Sequence, residues 1–393
     1  MPDTRSPLLD FCRSQSVWVR ETVEALVRLE SPSDDKAAVD RCAAELTRRL
    51  GALGAEVTRV PQTTCGDHVR AEWRPSGLQT GGTPILLLGH FDTVWPVGTL
   101  ERMPIHEREG RLFGPGIFDM KAGIAASMLA MRALIEVRKL TPHVVMLWTT
   151  DEEIGSGTSR ALIEETAHAA AAVLVLEPSL PRGAAKTSRK GVGEFTVTVH
   201  GVAAHAGLDP GKGASATHEL ARQVLALETL QDPGRGITIN VGVISGGSRS
   251  NVIADRATAQ IDVRIQTMED AGRIESAIRS LRPTRPSIRL DISGGIGRPP
   301  LERSAVVVRL YEEARRVAAA FGRELGEGAA GGGSDGNFTG ALGVPTLDGL
   351  GPEGDGAHAI HEHVLLDDLS WRGAFLAGLI ESLAGSSTSA VQR

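Results

Sequence analysis

Residues 84–92 read PILLLGHFD, a proline, four aliphatic residues and a glycine that close on His90 and Asp92. The run from Ile85 to Leu88 shows no alternation with polar residues, which is the pattern of a strand buried on both faces. Two further runs repeat it, HVVMLWT at 143–149 and AVLVL at 172–176. Helical stretches separate them, Ala122 to Val137 and Gly157 to Ala170. Strand alternating with helix predicts an α/β fold, with a mostly parallel sheet covered by helices on both sides. Upstream, Leu8 to Gly51 reads as two helices broken at Ser31-Pro32-Ser33.

Near Ser188 the hydrophobic period changes. FTVTVH at 195–200 alternates strictly, as do Ile237 to Val243 and Ala257 to Arg264, with helices expected at Ser215 to Thr229 and Asp270 to Leu281. Period-two alternation belongs to sheets with one covered face, so a smaller α+β domain is expected as an insertion. The expected organisation is a first part at 1–187, the insertion at 188–296 and the return at 297–393. A glycine-rich loop, GGGSDGNF at 331–338, lies in the returning part.

The chain has 393 residues, enough for two domains, and a net charge of −6. That balance argues against nucleic acid or an anionic membrane surface as partner, because phosphate binding needs an excess of Lys and Arg. No stretch approaches a membrane span, and the polar residues scattered through the first 29 positions do not read as a signal peptide. Three cysteines, Cys12, Cys42 and Cys65, imply no disulfide framework, and a cytoplasmic protein is expected. A metal site would then be built from His and carboxylates.

Such residues stand where the buried strands end. In GHFDTV, Asp92 lies two residues beyond His90 and can hold its imidazole from behind, fixing the ring for a metal. An Asx turn is the plainer reading. In GPGIFDMKAG, Asp119 opens a helix: it is either an N-cap or a carboxylate bridging two metals. TTDEEIGS places Glu152 beside Glu153. These acids either favour a helix entrance through its dipole or need cations between them, one binding metal and the other activating water. Glu177 ends an apolar strand in VLVLEPS, where a lone buried carboxylate would be costly and a metal would relieve it. Late in the chain GDGAHAIHEHV offers His358, His361 and His363, one of which should reach the cluster. In an open α/β sheet, the crevice at the carboxyl ends of the strands is the usual place for chemistry.

Taken in order, GHFDTVWP, GPGIFDMKAG, TTDEEIGSGTS, LEPS, GVAAHAG, SNVIADRATAQIDVR, GGGSDGNF and GAHAIHEHV resemble the M20 family of zinc peptidases, and within it the glutamate carboxypeptidase branch. The resemblance covers residues from about 10 to 384. It implies a zinc-peptidase catalytic domain interrupted by a lid or dimerisation domain, and two zinc ions per subunit, with cobalt or manganese able to use the same donors. One ion would take His90 and Glu177, the other Glu153 and His358, with Asp119 between them. His358 is chosen because the family places a Glu four residues after this ligand, and Glu362 fits; His361 is the fallback. Glu152 becomes the general base and Asp92 orients His90.

The resemblance also gives His205, in GVAAHAG, a catalytic role as donor to the oxyanion, against a structural histidine at a turn. Arg264 and Asn251, with Gly333 and Ser334 of the glycine loop, would hold a substrate carboxylate. Each has a competitor: Asp262, two residues from Arg264, can pair with it, and the loop can serve as a hinge. Lys190 would add positive charge at the mouth. The expected activity is hydrolysis of an amide next to a free carboxylate, on a small peptide or an N-acyl amino acid, in a homodimer joined through the inserted domain. An N-acyl-amino-acid amidohydrolase is the second reading. A catalytically inactive binding protein would be expected to lack a ligand or the base, and none of these is missing.

Overall fold

The computed structural model describes residues 6–75, 83–139 and 142–390. They divide into two compact units, one of residues up to Ser188 with Arg303–Ala329 and Ser334 onward, the other of Arg189–Glu302 with Ala330–Gly333. The return to the first unit, expected at 297, instead follows Glu302. Position 296 lies inside the strand Arg289–Arg298, whose glycines and polar residues conceal its period.

The first unit is built on a six-stranded sheet. Its order is Glu56–Val60, His68–Trp73, Val144–Thr149, Ile85–His90, Ala172–Val175 and Thr346–Leu347. The last four run parallel, and the first two are antiparallel additions at one edge. The α/β class and mostly parallel sheet are as the apolar runs require. Every residue of Ile85–His90 and of Val144–Thr149 is buried. Alternate side chains feed two cores: Ile85, Leu87, Met146 and Leu174 join one, and Leu86, Leu88, Leu147 and Val173 the other. The helix Ala122–Ala133 has all but one of its residues buried against the first core, and Arg160–His168 covers the second with Ile163 and Ala167. Covering both faces gives these strands their unbroken apolar character.

The second unit is a four-stranded antiparallel sheet, ordered Thr238–Gly246, Arg256–Ile265, Gly191–His200 and Arg289–Arg298. Phe195, Val197 and Val199 point to one face, where the helices Ala216–Glu228 and Met268–Arg279 bury Leu220, Leu227, Ile274 and Ile278 against them. Its core involves one face of the sheet, which explains the alternation.

The strand His68–Trp73, second in the sheet, carries a buried carboxylate. Glu72 accepts hydrogen bonds from His143 Nε2 at 2.8 Å, Arg70 at 2.7 Å and Arg74 at 2.8 Å. Burial pushes its pKa up, but these donors outweigh burial and hold it at about 2, below the ordinary 4.5. A carboxylate depressed on folding stabilises the protein above its unfolded pKa, and that contribution is lost as pH falls through the folded value. We therefore expect Glu72→Gln to lower the urea midpoint at pH 7 and to flatten its fall between about pH 4.5 and 2. Parallel acid limbs in the two proteins would contradict this.

Candidate metal centre

Three neighbouring parallel strands of the first unit end at one place. Ile85–His90 lies between Val144–Thr149 and Ala172–Val175, and His90 is paired in register with Thr149. The residues beyond these ends are Asp92, Glu152 with Glu153, and Glu177. Because the strands share a direction, the polar groups that follow each apolar run emerge together at one edge of the sheet.

The side chains converge. His90 Nε2 lies 3.2 Å from Asp119 Oδ1 and 3.4 Å from Glu177 Oε1. His358 Nε2 lies 3.4 Å from Asp119 Oδ2 and 3.2 Å from each oxygen of Glu153. These are two triads, and within each the donor atoms fall within 4.8 Å of one another. Asp119 belongs to both and turns a different oxygen to each. Asp92 is fully buried behind the His90 ring, whose Nδ1 is 3.0 Å from its main-chain oxygen and 3.3 Å from Oδ1. Its Oδ2 accepts from Ser33 Oγ at 2.7 Å and from the Glu153 N–H at 3.3 Å, so one carboxylate steadies both triads. Glu152 is half-buried on the same single turn as Glu153, Glu152–Ile154.

Asp119 does not cap a helix. It has φ −114° and ψ 92° inside the tight turn Ile117–Lys121, and the following helix has no side-chain cap. Two features fix that turn. A Cβ on Gly123 would lie 2.2 Å from the carbonyl oxygen of Leu176, so only glycine lets the helix start rest on the strand end that leads to Glu177. Glu362, 1% exposed, accepts four hydrogen bonds: Oε1 from the N–H groups of Phe118 (2.9 Å) and Asp119 (3.1 Å), Oε2 from Gly116 N–H and Trp95 Nε1 (2.9 Å each). The chain that carries His358 thus also holds the chain that carries Asp119.

The cluster concentrates negative charge. Burial opposes a protonated His90, but Asp119, Asp92 and Glu177 outweigh it and hold that ring well above its ordinary pKa. Asp119 and Glu153 push His358 up to about 10. Burial pushes Glu153 upward. Three carboxylates packed this closely require compensating positive charge. Two imidazoles and three carboxylates, with no thiolate, suit borderline divalent ions such as zinc. The donor set fits two of them.

The other sequence expectations fall out unevenly. Of the late histidines His358 is in a triad. His361 is exposed and in neither, while His363 is buried, its Nδ1 2.8 Å from the oxygen of His361. Ser334 is a correction: it is fully buried and its hydroxyl donates to Asp348 at 2.6 Å, so it cannot face a substrate in this arrangement. The glycine loop looked like an anion cradle because its backbone was read without the inward-turned polar side chains. Gly333 is in the second unit, where its carbonyl accepts from Arg189 Nη1 at 3.2 Å. Arg264 is held by Asp262 through two hydrogen bonds of 2.9 and 2.8 Å, as the competing reading required. Lys190 donates its N–H to Ala330 at 3.0 Å. Asn251 and His205 are exposed. His205 Nδ1 accepts from the N–H groups of Gly207 (3.1 Å) and Leu208 (3.0 Å), which leaves the neutral ring's hydrogen on Nε2. The supporting roles of Ser33 and Trp95 were not read from the sequence, and Glu362 was read only as a spacing mark.

Residues 86–382 match the model of peptidase family M20/M25/M40. Carboxypeptidase G2 of Pseudomonas sp. is 31% identical over 350 residues, covering 87% of this chain and 83% of the relative. Succinyl-diaminopimelate desuccinylase of Pseudoalteromonas atlantica is 28% identical, covering 94% and 99%. Aminopeptidase PepT of Bacillus cereus superposes with a TM-score of 0.78 at 22% identity, covering 94% of this chain and 99% of the other. The chain belongs to peptidase family M20/M25/M40. It is a hydrolase of the peptidase and amidohydrolase kind.

Glu362 gives a direct test of the centre. Glu362→Gln leaves one accepting oxygen where four donors converge, and loss of such an outer partner typically weakens metal binding about 10–100-fold. A competition titration against a chelating dye should show that loss in a folded protein. Zinc affinity equal to the parent's would contradict the role given to Glu362.

Proposed function

We propose that this chain is a di-zinc hydrolase that cleaves an amide bond beside a free carboxylate, as a carboxypeptidase does. The observation that carries the reading is Asp119, whose two oxygens face separate ligand triads. When bound, two zinc ions would polarise the scissile carbonyl and make a shared water more acidic. His90 and Glu177 would hold one ion, Glu153 and His358 the other, and Asp119 both.

The chain's own groups then have distinct work. Glu152, next to the ligand Glu153, takes a proton from the attacking water and returns one to the leaving amine. Asp92 keeps His90 in the tautomer that offers Nε2. His205, with its Nε2–H pointing away from its own turn, donates to the oxyanion. Arg264 and Asn251 take the substrate carboxylate. Asp262 already orients the Arg264 guanidinium, leaving other N–H groups of its fork for a ligand. The full-length match to a desuccinylase supports a second reading, an N-acyl-amino-acid amidohydrolase on the same centre.

We also assign a homodimer through the second unit. Thr238–Gly246 is an edge strand, and it exposes Val243 and Ile244, an apolar edge that pairing with a second copy would cover. Light scattering that returned a monomer mass would remove this part. Among the described residues no helix is long and apolar enough to cross a membrane. The three free, buried cysteines fit the cytoplasmic assignment.

The decisive experiment is hydrolysis of peptidyl-glutamates, N-acetyl amino acids and N-succinyl amino acids by the zinc-loaded protein. Peptide cleavage supports the first reading, and acyl release alone the second. Glu152→Ala should lower kcat by about 10²–10⁴-fold with both zinc ions retained. Full activity in that variant would remove Glu152 as the base.

A further inference from the structure

We propose that Asp335 is a positioning residue for this hydrolysis, its carboxylate closing the loop Thr149–Ser156 that presents Glu152 and Glu153. The proposal rests on the reading given above and adds to it a residue outside the ligand set. Asp335 comes from the glycine-rich segment 331–338, far along the chain, yet it is 2% exposed and lies at the loop's two ends. Its Oδ2 accepts from Thr149 Oγ1 at 3.0 Å, and its Oδ1 from Ser156 Oγ at 2.5 Å. Thr149 is the last residue of its strand, and Ser156 follows the turn that bears both glutamates.

The loop needs such a tie. Ser156 has φ +58° and Gly155 φ +99°, so the chain reverses through two left-handed residues directly after the turn Glu152–Ile154. A left-handed serine persists where its surroundings fix it, and the Ser156 N–H to Asp151 O bond of 2.7 Å and the Arg160 N–H to Ser156 O bond of 3.1 Å are further restraints. Asp151 in turn accepts from Thr158 N–H at 2.6 Å and Thr158 Oγ1 at 2.8 Å, anchoring the far side of the loop to the next helix. Asp335 is thus the group that joins the strand end to the turn's exit. Its loss should let Glu152 and Glu153 move relative to His90 and Asp119, which are fixed by other contacts. A base or ligand displaced by a fraction of an ångström loses rate without losing substrate binding.

The test compares Asp335→Ala, Asp335→Asn, Ser156→Ala and the double variant Asp335→Ala/Ser156→Ala, all zinc-loaded. Asp335→Ala should lose about 10–100-fold in kcat with KM little changed, and should bind one of its two zinc ions about 10-fold more weakly, the Glu153–His358 one. Asp335→Asn, which keeps one acceptor, should fall between it and the parent. Ser156→Ala should lose less, and should add nothing on the Asp335→Ala background, since both act through one contact. A folded Asp335→Ala protein with parental kcat and parental affinity for both ions would overturn the proposal. So would losses that multiply in the double variant, or equal weakening of both ions. If Asp335→Ala does not fold, Thr149→Val/Ser156→Ala removes both arms and is decided by the same readouts. A parent that binds two zinc ions but hydrolyses no amide would overturn the amidase reading; the selective zinc loss would still decide whether Asp335 positions Glu153.

Discussion

Three carboxylates, Asp119, Glu153 and Glu177, are drawn against two imidazoles at the edge of one sheet, and this concentration of negative charge governs the rest of the molecule. Such a cluster is unstable unless positive charge occupies it. The raised pKa values of His90 and His358 record the same demand from the side of the imidazoles. A divalent ion would meet it better than protons, because each such ion satisfies several carboxylate oxygens at once. The two triads share Asp119, so occupancy of one bears on the geometry of the other.

The fold supplies what charge alone would push apart. The central parallel strands are buried on both faces, and their shared direction places His90, Glu153 and Glu177 at neighbouring ends. Around them stand restraints with no part in the ligand set. Gly123 allows a helix to start against Leu176, Glu362 gathers four donors under the Asp119 turn, and Asp92 links the His90 ring to the Glu153 backbone. Outer contacts of this kind hold the clustered side chains in fixed directions.

Much of the centre was legible in the sequence because each ligand of the three strands follows an apolar run whose meaning is unambiguous. That His90, Glu177 and the pair Glu152 and Glu153 gather at one place needed only the rule that chemistry collects at the carboxyl ends of parallel strands, whereas the choice of Glu153 over Glu152 rested on likeness to a family. Asp119 was ambiguous, since a carboxylate before a helix is an ordinary cap, and the geometry of the turn removes that cap. His358 could not be separated from His361 by pattern, only by likeness to a family. The antiparallel strands Glu56–Val60 and His68–Trp73 were missed because charged residues break their period, and Arg289–Arg298 because it is rich in glycine. Ser334 was misread because a glycine loop suggests exposed backbone, whereas Ser334 and Asp335 turn inward, to Asp348 and Thr149. Contacts such as Asp335 to Ser156 join positions far apart in the chain, and no local pattern carries them.

The most direct measurement is anomalous diffraction at the zinc edge from crystals of the zinc-loaded protein. The account requires two peaks, one on each side of Asp119, the first ligated by His90 and Glu177 and the second by Glu153 and His358. A single peak, or two peaks with no shared carboxylate, would contradict it.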